Sequence, residues 1–151
     1  MCNVDQVITG EAASGRTDAD GTTKPLRILV ADDNKPFAET LAWLLRDMGD
    51  KVETCYNGFD ALDIVRTFRP DVVILDIVMP VMHGYDACRR LRADAKLAGL
   101  KILGLTGYGD ALPPEMAKAG LFDQRFVKPL DLPRFMGVLD DIRQGRFRPA
   151  K

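Results

Sequence analysis

The sequence predicts an α/β fold: a doubly wound, five-stranded parallel sheet with five helices. Three observations predict it. Short apolar runs alternate with stretches of helical period, strand then helix, five times over. One run, Val72-Val73-Ile74-Leu75, is apolar throughout, as a strand covered on both faces must be. The spacers between runs are long enough to hold the crossover helices that parallel strands require.

The elements follow in order from Pro25. Leu26-Arg27-Ile28-Leu29-Val30-Ala31 reads as the first strand and stops at Asp32-Asp33. Pro36 suits the first turn of a helix. Phe37, Leu41, Leu44, Leu45 and Met48 recur at helical spacing, and Gly49 ends the helix. Lys51 to Tyr56 is the second strand. Ala61, Leu62, Val65 and Phe68 mark a second helix, closed before Pro70. The third strand, Val72 to Leu75, ends at Asp76. A third helix runs from about Tyr85 to Arg92. Lys101 to Leu105 is the fourth strand and ends at Thr106. A short fourth helix is expected between Pro113-Pro114 and Gly120. Arg125-Phe126-Val127 is the fifth strand, ending at Lys128-Pro129. Asp131 caps a final helix carrying Leu132, Phe135, Met136, Leu139 and Ile142.

The domain organisation is a flexible leader over 1–24, one folded domain over 25–144 and a short tail over 145–151. The leader is rich in Gly, Thr, Ser, Asp and Ala, with no aromatic residue and no periodicity. A chain of 151 residues holds one ordinary core rather than two. A net charge of −1 gives no basic surface pointing to nucleic acid. No apolar stretch approaches the roughly 20 residues of a membrane span. The first residues lack the basic-then-apolar order of a signal peptide. Cys2, Cys55 and Cys88 are odd in number and lack metal-type spacing, so Cys55 and Cys88 read as buried apolar fillers in a reducing compartment. The expected location is the cytoplasm, with no nucleic acid and no membrane among the partners. His83, the sole histidine, falls in a loop and reads as a solvated residue.

The chemistry gathers at the carboxyl ends of the strands, where open parallel sheets form their sites. Asp32 and Asp33 follow strand one, Asp76 strand three, Thr106 strand four and Lys128 strand five. Singly, each has a bland reading: a helix cap, a strand-end hydroxyl, a surface lysine. Together they put three carboxylates, a hydroxyl and an ammonium in one pocket. Clustered carboxylates repel one another and raise one another's pKa, and a hard divalent cation such as Mg²⁺ relieves that repulsion. Lys128 and Thr106 suit a phosphoryl anion, and an Asp can attack phosphorus to form an aspartyl phosphate. Such transfer needs mainly positioning and charge neutralisation.

Four segments carry a family resemblance: VADDN at Val30–Asn34, LDIVMPVMHGYD at Leu75–Asp86, LTGYG at Leu105–Gly109 and FVKPLD at Phe126–Asp131. In this order, between Leu26 and Gln144, they make the chain resemble the receiver domain of two-component response regulators, stand-alone or of the hybrid-kinase type, with a flavodoxin-like fold. The resemblance implies that Asp76 accepts the phosphoryl group. It implies that Asp33 binds Mg²⁺ directly, that Asp32 supports the metal through water, and that the Val78 carbonyl is a further ligand. Thr106 would bond the phosphoryl oxygens, Lys128 would pair with the phosphoaspartate, and the peptide before Pro129 would be cis. The donor would be a sensor histidine kinase or a histidine phosphotransfer protein. The domain would be a phosphoacceptor that assists its own phosphorylation and dephosphorylation, not an enzyme in the ordinary sense. Output would pass to a downstream protein target or by onward phosphotransfer, since only a short tail follows the last helix.

The sequence also departs from the family. Three residues before the lysine the family carries Tyr or Phe, and here stands Arg125; Phe126, one place on, should face the opposite side of its strand. This favours shuttling or docking over a large output switch. The resemblance also implies that Val78 and Tyr108 flank the phosphoryl group, where an apolar and a bulky side chain should exclude water and slow hydrolysis. Three other readings are weaker. A phosphatase with an Asp nucleophile would resemble D-x-D, but Val78 stands where its general acid belongs. A dinucleotide or flavin binder would show G-x-G-x-x-G after the first strand, which is absent. A receiver that only docks is opposed by the complete acidic and basic set.

Overall fold

A computed structural model describes residues 25–79, 82, 84–107 and 121–148. Five strands, β1 (Arg27–Ala31), β2 (Lys51–Cys55), β3 (Val72–Asp76), β4 (Lys101–Thr106) and β5 (Gln124–Val127), form one parallel sheet in the order β2-β1-β3-β4-β5. Among the described residues four α-helices connect or follow them: α1 (Lys35–Asp47), α2 (Gly58–Phe68), α3 (Gly84–Ala93) and α4 (Leu132–Arg143). A 3₁₀ turn spans Ala95–Leu97. The leader over 1–24, the helix expected between Pro113 and Gly120, Tyr108, His83 and residues 149–151 lie outside the described residues.

Helix ends follow local chemistry. The Asn34 side chain accepts from the Phe37 N–H and caps α1, with Pro36 in the first turn. Asn57 accepts from the Asp60 N–H and starts α2 three residues before its apolar stripe begins at Ala61. Asp131 accepts from the Arg134 N–H and caps α4, as expected. Arg69, left-handed at φ 54°, closes α2 just before Pro70.

The strand period of two splits the core into two layers. Ile28 and Val30 of β1, Val72 and Ile74 of β3, Leu103 and Leu105 of β4, and Phe126 of β5 pack under α1 and α4. Leu29, Ala31, Val73, Leu75 and Ile102 face the other way, under α2 and α3, with Cys55 and Cys88 buried among them. Burial, the largest cause, pushes both thiols up to about 12. Both cysteines are buried and unpaired by any disulfide, packed as apolar fillers.

The amino ends of the strands are held by long-range polar contacts. Arg143 of α4 donates to both oxygens of buried Asp50 at 2.8 and 2.7 Å, and Asp50 also accepts from the Leu26 N–H. Arg92 donates to the Leu121 and Leu100 carbonyls and to Asp123. The carboxyl ends of the strands carry the acidic groups and Lys128. The order reverses beside β1, so a crevice opens between the carboxyl ends of β1 and β3.

Candidate metal and phosphoryl site

Asp32 follows β1 directly and is fully buried, while Asp33 beside it is exposed. Asp76 closes β3 and is 6 % exposed, a carboxylate at the bottom of the crevice. Oxygens of Asp32, Asp33 and Asp76 lie within 4.8 Å of one another. That is the spacing of groups able to share one cation.

Lys128 reaches the same pocket from beyond β5. Its Nζ lies 2.6 Å from Asp32 Oδ2 and 3.6 Å from Asp76 Oδ2. The Lys128 N–H donates to the Thr106 carbonyl at 2.7 Å, and the Lys128–Pro129 peptide is cis. Thr106, 6 % exposed at the end of β4, points its hydroxyl to the Phe126 carbonyl at 3.5 Å, at the limit of hydrogen-bond length. The Val78 N–H donates to Asp76 Oδ1 at 3.2 Å, and the Val78 side chain is half-exposed.

Burial and the neighbouring Asp32 charge push the Asp76 carboxyl up to about 7; Lys128 and the Val78 N–H oppose this without cancelling it. Burial alone would lower the Lys128 ammonium, but the hydrogen bond to Asp32 and the charges of Asp76 and Asp32 outweigh it and hold the group above its ordinary value. Three carboxylates thus face one ammonium in this pocket.

Glycine is required at one point. A Cβ at Gly84 would run into the Asp76 carbonyl oxygen and come to 2.9 Å from Ile77 Cα. Its N–H also donates to the Ile77 carbonyl at 2.9 Å. The first turn of α3 therefore rests on the backbone that presents Asp76.

The structure brings Asp32, Asp33, Asp76 and Lys128 together, with Thr106 and Val78 at the pocket's edge. Arg125 is exposed and Phe126 is buried. Phe126 meets Phe135 edge-on at 5.3 Å, and the Arg134 guanidinium stands 4.7 Å from its ring centre. The expected division of the two faces of β5 is thus present. Sequence reasoning missed Asn34 and Phe37. Asn34 donates its N–H to Asp32 Oδ1 at 2.9 Å, and the Phe37 ring lies 4.6 Å from Lys128 Nζ. In the sequence Phe37 stands only as one of the residues at helical spacing; its position one turn past the acidic pair is the available signal.

Comparison with known proteins identifies the class of this parallel sheet, whose acidic strand ends face a lysine. Residues 28–140 match the response regulator receiver domain family, and the chain belongs to it. The DNA-binding response regulator MtrA of Mycolicibacterium smegmatis is 40% identical over 126 residues, covering 83% of this chain and 54% of MtrA. The chemotaxis response regulator CheY4 of Vibrio cholerae superposes with a TM-score of 0.69 at 27% identity, covering 79% of this chain and 99% of that one. The receiver domain of a Pseudomonas aeruginosa sensor histidine kinase, solved with a magnesium ion in its active site cleft, gives 0.68 at 25% identity, covering 79% and 98%.

One expectation is corrected. Nucleic acid was excluded among the partners, yet MtrA, similar over most of this chain, is a DNA-binding response regulator. The near-neutral charge that prompted the exclusion describes only this chain, which spans about half the length of the curated relatives it matches. Among the described residues no helix is long and apolar enough to cross a membrane.

Proposed function

We propose that this receiver domain, spanning 25–144, accepts a phosphoryl group on Asp76 from a phosphohistidine on a sensor histidine kinase or histidine phosphotransfer protein. A carboxylate oxygen of Asp76 bonds to phosphorus, the P–N bond breaks, and the imidazole nitrogen leaves with the electron pair. The observation that carries this reading is the meeting of three carboxylates within 4.8 Å with an ammonium 3.6 Å from Asp76.

The pocket fits Mg²⁺. Its donors are all oxygens, and burial together with the neighbouring Asp32 charge holds Asp76 well above the ordinary carboxylate range. Asp32, Asp33, Asp76 and the Val78 carbonyl would hold the ion. When bound, it supplies charge neutralisation for the transferring group. Lys128 pairs with the phosphoryl oxygens, and Thr106 turns its hydroxyl from the Phe126 carbonyl toward them. The domain thereby assists its own phosphorylation and dephosphorylation and is otherwise not an enzyme. Exposed Arg125, in place of the family's aromatic, supports onward phosphotransfer or action on a downstream protein target over a large internal switch. The MtrA likeness keeps DNA-linked output within this reading. The setting proposed is the cytoplasm.

The test is phosphorylation by a small acyl-phosphate donor, or beryllofluoride binding, with Mg²⁺, read by intact mass or amide shifts. Wild type should respond only with Mg²⁺ present, and Asp76→Asn should not respond. Folded, Mg²⁺-bound wild type that stays unmodified would point instead to a receiver that acts by docking alone.

A further inference from the structure

Four contacts join four residues into a closed ring. Asp32 Oδ1 accepts from the Asn34 N–H at 2.9 Å, and Asn34 Oδ1 accepts from the Phe37 N–H at 3.1 Å. The Phe37 ring lies 4.6 Å from Lys128 Nζ, and Lys128 Nζ returns to Asp32 Oδ2 at 2.6 Å. Two of the links are local and fix the start of α1 to the end of β1. The other two are long-range and bring in Lys128. Phe37 is the only aromatic ring within cation–π range of Lys128 among the described residues.

We propose that Phe37 is a positioning residue for phosphoryl transfer: its ring face is the second restraint that holds the Lys128 ammonium between Asp32 and Asp76. The inference rests on the reading of Asp76 as acceptor. The physical argument concerns the lysine stem. The lysine stem has four rotatable methylene carbons, and beyond the 2.6 Å contact to Asp32 its only other ion pair among the described residues is the longer one to Asp76, so the ammonium keeps room to swing. Its distance to Asp76, 3.6 Å, would then vary widely. A ring approaching from another element removes that freedom. The Lys128 side chain is 22 % exposed, so the ring's field is less screened than at an open surface. The Phe37 backbone is itself pinned by the Asn34 cap, whose N–H is held by Asp32. The ring is thereby indexed to the same carboxylate that the lysine contacts. When Lys128 moves its bond from Asp32 toward a phosphoryl group on Asp76, the ring keeps it within reach.

The test uses the full chain as wild type, Phe37→Leu, Phe37→Tyr and Phe37→Trp. Two readouts are taken: the rate of Asp76 phosphorylation by a small acyl phosphate with Mg²⁺, and the chemical shifts of the Lys128 side chain. In wild type the ring should shift the Lys128 terminal methylene upfield. Phe37→Leu should abolish that shift and slow phosphorylation roughly 3- to 10-fold, while Tyr and Trp restore both. In a Lys128→Met background the same Leu substitution should have no further effect on rate. Equal behaviour of the Leu, Tyr and Trp variants, or a wild-type Lys128 without the ring shift, would overturn the proposal. Failure of the acceptor reading is distinguishable: wild type and variants alike would then remain unphosphorylated whatever the Lys128 shifts, and the positioning role would fall with it.

Discussion

Lys128 is paired with Asp32, at 2.6 Å, more closely than with Asp76, at 3.6 Å, even though β1 and β5 are separated by two strands. The lysine thus occupies an oxygen that a cation would otherwise face. It acts as a resident counter-charge that an incoming ion must share the pocket with.

Lys128→Met should therefore bind Mg²⁺ more tightly than wild type. At the short distances of this pocket the gain should be roughly tenfold. Phosphorylation of the same variant should be slower, since the phosphoryl oxygens lose their ammonium. Calorimetric Mg²⁺ titration beside a phosphorylation time course checks both. Weaker Mg²⁺ binding in the variant would mean that Lys128 organises the carboxylates more than it competes with the ion.

The raised Asp76 carboxyl has a consequence for stability. Its proton is held to about pH 7 in the folded metal-free domain, against an ordinary value of 3.8. Between these limits the unfolded chain has released a proton that the folded chain retains, so stability falls as pH rises and levels off above about 7. Asn at this position neither titrates nor repels Asp32. Asp76→Asn should match wild type near pH 4 and exceed it near pH 8 by on the order of 2–4 kcal/mol. That corresponds to a rise in Tm of about 10 °C or more. Melts in a chelator across this range check the expectation, and saturating Mg²⁺ should narrow the gap by stabilising wild type. A gap that does not change with pH would place the Asp76 titration elsewhere.

Gly84 tests how tightly α3 is set against the acceptor. Gly84→Ala gains helix propensity of about 1 kcal/mol. The new Cβ meets the Asp76 carbonyl, however, and the contact is with backbone that cannot turn aside. The net change should be destabilising by about 2 kcal/mol or more, visible in denaturant titration, and Asp76 phosphorylation should fall with it. A neutral or stabilised variant would mean that α3 slides away freely.

Much of this was legible in the sequence, for identifiable reasons. Strands covered on both faces leave unbroken apolar runs, so β1, β3 and β4 and their polar ends, Asp32, Asp76 and Thr106, could be read directly. The division between Arg125 and Phe126 followed from strand alternation alone. Other features leave no periodic trace. The start of α2 at Gly58 depends on one hydrogen bond from the Asn57 side chain, upstream of any apolar stripe. The Arg143–Asp50 pair joins residues 93 apart, and charge pairing at that distance has no sequence signature. Phe37 fitted the helical stripe so well that its second role, against Lys128, was hidden by its first.

Val78 bears on how long a phosphoryl group would persist. Its N–H donates to Asp76 Oδ1, which fixes its backbone beside that carboxylate, and the residue is 50 % exposed. An isopropyl group there offers no hydrogen bond to an attacking water and occupies space that the water needs. Asn at the same place would offer a carbonyl acceptor and an amide donor able to orient water toward phosphorus. Val78→Asn should hydrolyse its phosphoaspartate faster than wild type, by roughly tenfold, with little change in stability because the position is half in solvent. Decay of the purified phosphoprotein, followed by intact mass in the presence of Mg²⁺, measures this directly. Slower decay in the Asn variant would show that water reaches the acceptor by a route that Val78 does not cover.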